Sequence, residues 1–296
     1  MVSAAAFAES KVRLLDLPMT ANYVGLRERL PLMMDSGAFQ VHTIGSIALT
    51  PKEVLSIYRA VRPHLGVVLD YPLSPSRSNE DHLRRWKKTL ANTKWMFRND
   101  GVLNLVPVVH GYSRKSLFAA CEDIADLGTP PVVGLGSLVP LVKSAQLREG
   151  LFRGTVNSRE YVDEAVEVVR NAFPDSMLHV FGIGSVATLR RVLRGGADSV
   201  DTVSWRLKAA HGAIVLPGKS DRFVSPRRNG RGRVGLGRDD LAALGECLCP
   251  TCSGHPLSTR LRLLDNSRPL TFRSRAVHNA YVIRSEVLKL RSMIPT

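Results

Sequence analysis

The 296 residues contain no apolar run of the roughly 20 that a membrane-crossing helix needs, and the first segment, MVSAAAFAESKVRLL, lacks a basic start and is interrupted by Glu9. The expectation is a cytoplasmic protein with no membrane partner. Cysteine is scarce. There are four, three of them packed into ECLCPTC, which excludes a disulfide framework and suits a metal knuckle in a reducing compartment. The fourth, Cys121, sits in a helical pattern and reads as core. Acidic residues are also few, with 26 Asp and Glu against 41 Lys and Arg, a formal charge of +15. A field of that sign concentrates polyanions, so nucleic acid is the natural partner class. With 44% hydrophobic residues the chain can bury a sizeable core, and disorder is excluded as the default state.

From Pro31 onward the sequence repeats strand, loop, helix. LMMDSG is followed by a helix from Thr50-Pro51, where Thr is a good N-cap and Pro a good first residue. LGVVLDYP precedes a helix from Asn79 to Arg98, and LNLVPVVHG a Ser113-initiated helix to Leu127. PVVGLGS precedes a helix near 158–172, and MLHVFGIG one from Ser185 to Arg194; ADSVDTVSW comes last. Near-continuous apolar strands separated by helices predict an α/β protein whose parallel sheet is buried on both faces. Six strands are readable. A closed barrel needs eight, with the missing two expected within residues 11–30 and after Trp205, and an open doubly wound sheet is the alternative.

The unusual residues cluster at strand ends. Asp35, Asp70, His110, Gly134 and Gly136, Gly182 and Gly184, and Asp201 all fall at or just past the C-terminal end of a strand, the end where parallel α/β enzymes do their chemistry. Asp35 and Asp201 form a pair of carboxylates able to divide labour as nucleophile and general acid/base in glycosyl transfer. Asp198 competes with Asp201, since three residues apart they alternate to opposite faces and periodicity does not choose between them. Asp70 is a candidate acceptor for the amino and ring N–H edge of a guanine-like base. Phe39 and Phe181 offer flat faces for a heterocycle, and VGLGS and FGIGS allow close backbone approach, although neither completes a dinucleotide fingerprint.

The strongest local signal is the C-x-C-x2-C spacing of Cys247, Cys249 and Cys252, which lets three thiolates converge on tetrahedral zinc with a histidine as fourth ligand. His255 and His278 both qualify by spacing. A closed four-ligand site predicts a structural role. Between them and the last strand lies an acid-free segment with six arginines, Arg222, Arg227, Arg228, Arg231, Arg233 and Arg238, suited to phosphate contacts.

Taken in order, these motifs resemble the tRNA-guanine transglycosylase superfamily, whose members exchange guanine in a nucleic acid for a 7-deazaguanine. DSGAFQ at 35–40 is similar to the family's DSGGFQ, VVLDYP to its base-recognition strand, FGIGS with GADSVDTV to its nucleophile region, and C-x-C-x2-C-x25-H to its zinc site; the resemblance covers roughly residues 31 to 280. It implies a (β/α)8 barrel over residues 1–296 with a zinc-binding subdomain at 239–280. It further implies Asp201 as nucleophile, Asp198 as structural, Asp35 as general acid/base and His278 rather than His255 on zinc. The implied base contacts are Ser36, Phe39, Asp70, His110, Gly134, Leu135, Gly136, Phe181 and Gly182. No redox cofactor is implied, and a homodimer follows by resemblance.

The chain also departs from the family. His110-Gly111 stands where the family usually has Gln-Gly, Ala38 replaces a glycine, and the basic segment lies about 25 residues after Asp201. These departures look more like the DNA-acting deazapurine transglycosylases of phages and bacterial modification islands. The expectation is therefore preQ0-type base exchange on DNA, with tRNA as the alternative polymer and a non-catalytic nucleic-acid-binding subunit as the alternative of another class.

Overall fold

The computed structural model describes residues 1–4, 31–38, 49–101, 103–143, 158–219, 221–226 and 233–293. The chain divides into two compact units, Met1–Phe181 with Gly195–Ser199, and Gly182–Arg194 with Val200–Thr296.

The first unit is built on parallel strands in chain order. One sheet runs β1 (Val2–Ser3), β2 (Met33–Asp35), β3 (Leu65–Val67), β4 (Leu105–Val106); the other runs β5 (Val108–Val109), β6 (Val132–Leu135), β7 (Met177–Val180), β8 (Ser199–Val200). β4 and β5 flank Pro107, which has no N–H for the ladder, so one extended segment is split between two sheets. Pro107 still accepts, its carbonyl taking the Gly134 N–H at 2.9 Å.

The six strands read from sequence are all present. The strand expected within residues 11–30 lies outside the described residues, and an additional parallel strand occurs instead at Val2–Ser3, too short to carry a periodic signal. After Trp205 the described residues form two isolated bridges, Ile214 with Arg222 antiparallel and Phe223 with Gly235 parallel, and Pro217-Gly218 turns the chain back between the first pair.

Helices follow their caps. α1 (Pro51–Val61) has Thr50 as N-cap with a full capping box to Glu53, α2 (Asn79–Asn99) has Ser78, and α3 (Arg114–Ala125) has Ser113 with its own box to Ser116. α4 (Val139–Lys143) is short, and α5 (Ser158–Ala172) packs against α3.

Two helical side-chain sets fix the strand ends. Tyr58 of α1 is fully buried, with its hydroxyl 3.0 Å from the Met34 carbonyl and 2.7 Å from that of Val67, so one phenol ties β2 to β3. Gly66 is required beneath it, since a Cβ there would lie 2.6 Å from the ring. From α2, Thr89, Asn92 and Met96 share one face at helical spacing. Thr89 Oγ1 accepts the Tyr71 N–H, Asn92 donates to the Leu69 carbonyl, and Met96 Sδ accepts the Leu69 N–H. The backbone on both sides of Asp70 is thereby satisfied by helix side chains where the ladder has ended.

The second unit carries α6 (Val186–Arg194), α7 (Ser204–Ala210), α8 (Arg238–Gly245), α9 (Leu257–Leu264) and α10 (Phe272–Ser292), with α7 and α6 packed on α10. Asn279 of α10 accepts the Val215 N–H at 2.8 Å and donates to the Ala213 and Trp205 carbonyls, so one amide pins the chain after α7. No helix among the described residues is long and apolar enough to cross a membrane.

Replacing Tyr58 with Phe removes the one hydroxyl proton that the buried Met34 and Val67 carbonyls share. The expected cost is about 1–3 kcal/mol, read from urea unfolding as a lower midpoint at unchanged slope.

Candidate active site and metal centre

Asp35 closes β2. Its Oδ2 accepts the Gly37 N–H at 3.1 Å, and Gly37 sits at φ 90°, a conformation that favours glycine. Ser36 is wholly buried, and its Oγ has no hydrogen-bond partner among the described residues. The Asp35 and Asp70 carboxylates lie close enough to Tyr58 that their fields add to burial in pushing its phenol well above the ordinary range. Phe39 lies outside the described residues.

Asp70, 6% exposed, stands 2.8 Å from Nε2 of His110, which is 2% exposed. The other ring nitrogen, Nδ1, lies 2.8 Å from Ser137 Oγ. Gly134 and Gly136 make room for rings: a Cβ on Gly134 would lie 2.4 Å from Phe181, and one on Gly136 2.5 Å from His110. Leu135, between them, is buried. Phe181 also meets His179 edge-on at 4.5 Å.

The two competing aspartates are separated by their partners. Asp198 is engaged by the Arg170 guanidinium, and its Oδ2 accepts the Leu178 N–H at 2.7 Å, tying it to β7 within the first unit. Asp201, in the second unit, accepts the Gly182 N–H on Oδ1 at 2.8 Å, with Gly182 at φ 74°. The next glycine of that motif fits the loop after Asp201. A Cβ on Gly184 would lie 1.8 Å from Thr202 Oγ1 and 2.3 Å from Ser204 Oγ, and Ser204 Oγ donates to the Gly184 carbonyl at 2.9 Å. The glycines of FGIGS thus let two loops interlock around Asp201.

Cys247, Cys249, Cys252 and His278 present ligand atoms all within 4.8 Å of one another. Their Sγ atoms stand 3.6, 3.4 and 3.7 Å from His278 Nδ1. Tetrahedral zinc, with bonds of about 2.3 Å to sulfur and about 2.05 Å to nitrogen, sets that separation at about 3.6 Å. His278 directs Nε2 at the Val215 carbonyl, 3.0 Å away, which leaves Nδ1 as the donor to a metal. Cysteine binds a divalent cation as the thiolate, so the three converging thiols with one histidine suit such a cation chemically as well as by distance. His255 is exposed and outside the cluster. Ile214, Leu244 and Leu264 bury the group, so a metal here closes the small core of this unit.

Of the arginines in the basic segment, Arg227, Arg228 and Arg231 lie outside the described residues. Arg222 directs Nε at Asp240, 2.8 Å away, and Lys219 reaches the other oxygen at 2.7 Å. Arg233 lies over the Phe223 ring at 4.9 Å, and Arg238 opens α8 with an exposed side chain. The ion pair of Arg222 was not legible, because its acid lies 18 residues away in sequence. Ser137 was missed as well, since serine after glycine reads as an ordinary turn.

Strand-end carboxylates on a parallel α/β scaffold, followed by a helical unit with a Cys3His knuckle, define a narrow class of protein. A family model described as queuine tRNA-ribosyltransferase matches residues 20–296, and the chain belongs to that family. It is 24% identical over 262 residues to a tRNA-guanine(15) transglycosylase of Pyrococcus abyssi, covering 88% of this chain and 39% of that protein. To the protein of the same name from Archaeoglobus fulgidus it is 26% identical over 276 residues, covering 91% and 50%; to that of Methanobrevibacter smithii, 26% over 294 residues, covering 94% and 39%. The chain thus spans half or less of the length of these relatives.

Two measurements follow. Purified protein should carry one equivalent of metal by elemental analysis, and Cys249→Ser should lose it and melt several degrees lower. The second concerns Asp240, buried and held well below the usual carboxylate range, chiefly by Lys219, then by the Gly237 N–H and Arg222. A depressed folded value stabilises above the unfolded pKa of about 3.9 and is lost as pH falls through the folded one. Wild-type and Asp240→Asn unfolding free energies should therefore differ most at pH 7, and the difference should shrink progressively as the pH falls below about 3.9.

Proposed function

We propose that the chain is a guanine transglycosylase that exchanges a base in tRNA through a covalent glycosyl-enzyme intermediate. The observation that carries this reading is the setting of Asp201, whose Oδ1 accepts the Gly182 N–H where two glycine-shaped loops interlock, while Asp198 is bound by Arg170 and the Leu178 N–H of β7.

In the first half-reaction the Asp201 carboxylate attacks C1′ of the target nucleotide, the bond from C1′ to N9 breaks, and guanine leaves with a proton supplied by Asp35. In the second, Asp35 removes the N9 proton of an incoming 7-deazaguanine, which takes the sugar and frees Asp201. Asp70 accepts the amino and ring N–H edge of the base. Ser36, Phe39, the Gly134-Leu135-Gly136 backbone, Phe181 and Gly182 complete the base contacts, and His110, expected among them, stands behind Asp70 instead. The metal is zinc, and its role is to hold the 239–280 subdomain. The scaffold is a closed (β/α)8 barrel, the architecture that puts strand-end residues at one mouth. Arg233, Arg238 and the neighbouring arginines contact phosphates, in keeping with the +15 charge.

The DNA preference expected from the departures at Ala38, His110 and the basic segment has no support among the matched relatives, whose names specify tRNA. tRNA takes its place here.

The test is incorporation of radiolabelled guanine into tRNA, duplex DNA and single-stranded DNA in parallel. Label should enter tRNA and weaken steeply with salt, and Asp201→Asn should lower exchange by about 10⁴-fold or more, the scale set by removal of a nucleophile. Label in DNA alone would overturn the choice of polymer.

A further inference from the structure

His110 departs from the glutamine expected of the family, and its surroundings give it a defined task. The Leu73 N–H donates to Ser137 Oγ at 2.8 Å. That hydroxyl lies 2.8 Å from His110 Nδ1, and His110 Nε2 lies 2.8 Å from Asp70 Oδ2. The partners at the two ends favour one direction for the chain. A carboxylate against Nε2 requires a proton on that nitrogen, so in the neutral ring Nδ1 is an acceptor. Ser137 Oγ, already accepting from Leu73, has its own proton to give to Nδ1.

The backbone is shaped around this relay. Ser137 adopts φ 65°, a left-handed conformation uncommon for serine, and the buried Tyr112 hydroxyl lies 2.9 Å from the Ser137 carbonyl and 3.0 Å from that of Leu73. Gly136 carries no Cβ because the His110 ring occupies that space. The order is the reverse of a hydrolytic triad, with the carboxylate on Nε2 and the hydroxyl on Nδ1, so Ser137 orients the ring and is no nucleophile.

We propose that His110 is a positioning residue that holds Asp70 by one oxygen through Nε2–H and leaves the other oxygen to the N–H edge of the incoming base. The inference rests on the base-exchange reading above. The Nε2–H is 2.8 Å from Oδ2 by heavy-atom distance but off the line to it, so that nitrogen has no linear hydrogen bond. Such contacts tighten when substrate seats, and the buried pair has little else to relax toward.

Two substitutions separate the ends of the ring. His110→Gln keeps a donor where Nε2 stands, whereas His110→Asn keeps a polar group only at the Nδ1 level and cannot reach Asp70. In the guanine exchange assay on full-length protein, His110→Asn should raise KM for guanine about 10- to 100-fold, as for loss of a hydrogen bond to a charged group, with kcat within about threefold. His110→Gln should stay within about threefold of wild type in both constants. Thermal unfolding of the variants controls for misfolding, and the imidazole ¹⁵N spectrum of wild type should show the Nε2–H form. Equal loss in both variants, an unmoved KM in His110→Asn, or an Nδ1–H ring overturns the inference while leaving base exchange intact. A wild-type chain that exchanges no guanine overturns both.

Discussion

The strand ends of the first unit depend on a phenol that never meets solvent. Tyr58 reaches from α1 to the carbonyls of Met34 and Val67, so the strand that ends in Asp35 and the strand that leads to Asp70 are fastened to the same oxygen. Two carboxylates near a buried phenol make its ionisation costly, which keeps it a neutral hydrogen-bond donor throughout the physiological range. Beyond β3 the ladder stops, and Thr89, Asn92 and Met96 take over as partners for the backbone around Asp70. The Asp70 carboxylate is thus carried by a segment whose own polar groups are already satisfied.

Glycine serves the site mostly by absence of a side chain. Gly134 and Gly136 admit the rings of Phe181 and His110, and Gly184 admits the hydroxyls of Thr202 and Ser204. Among the described residues, Gly37 and Gly182 combine an N–H bonded to a carboxylate with a left-handed backbone. The two acids of the proposed exchange are therefore each presented by a backbone N–H from a glycine turn, a device that costs no additional charged group.

Much of this was legible. Caps at Thr50, Ser78 and Ser113 start helices as their chemistry demands, and the strand-end position of Asp35, Asp70, His110 and Asp201 follows from apolar runs alone. What escaped is non-local. Spacing left His255 and His278 equal as metal ligands, because only the packing of α10 brings His278 to the thiols. β1 has two residues, too few for a period of two to declare itself. Thr89, Asn92 and Ser137 are polar residues that composition assigns to solvent, yet each meets a backbone or ring partner far away in sequence. Asp198 and Asp201 are equivalent by alternation, and Arg170 from α5 separates them.

The central claim is that Asp201 carries the sugar. Incubating the protein with tRNA in the absence of an incoming base, denaturing, digesting and sequencing by mass spectrometry tests it directly. The account requires a tRNA adduct that survives denaturation and maps to the peptide containing Asp201, on that residue. An adduct on Asp35 or Asp198, or none with either tRNA or DNA while Asp201 is intact, would contradict it.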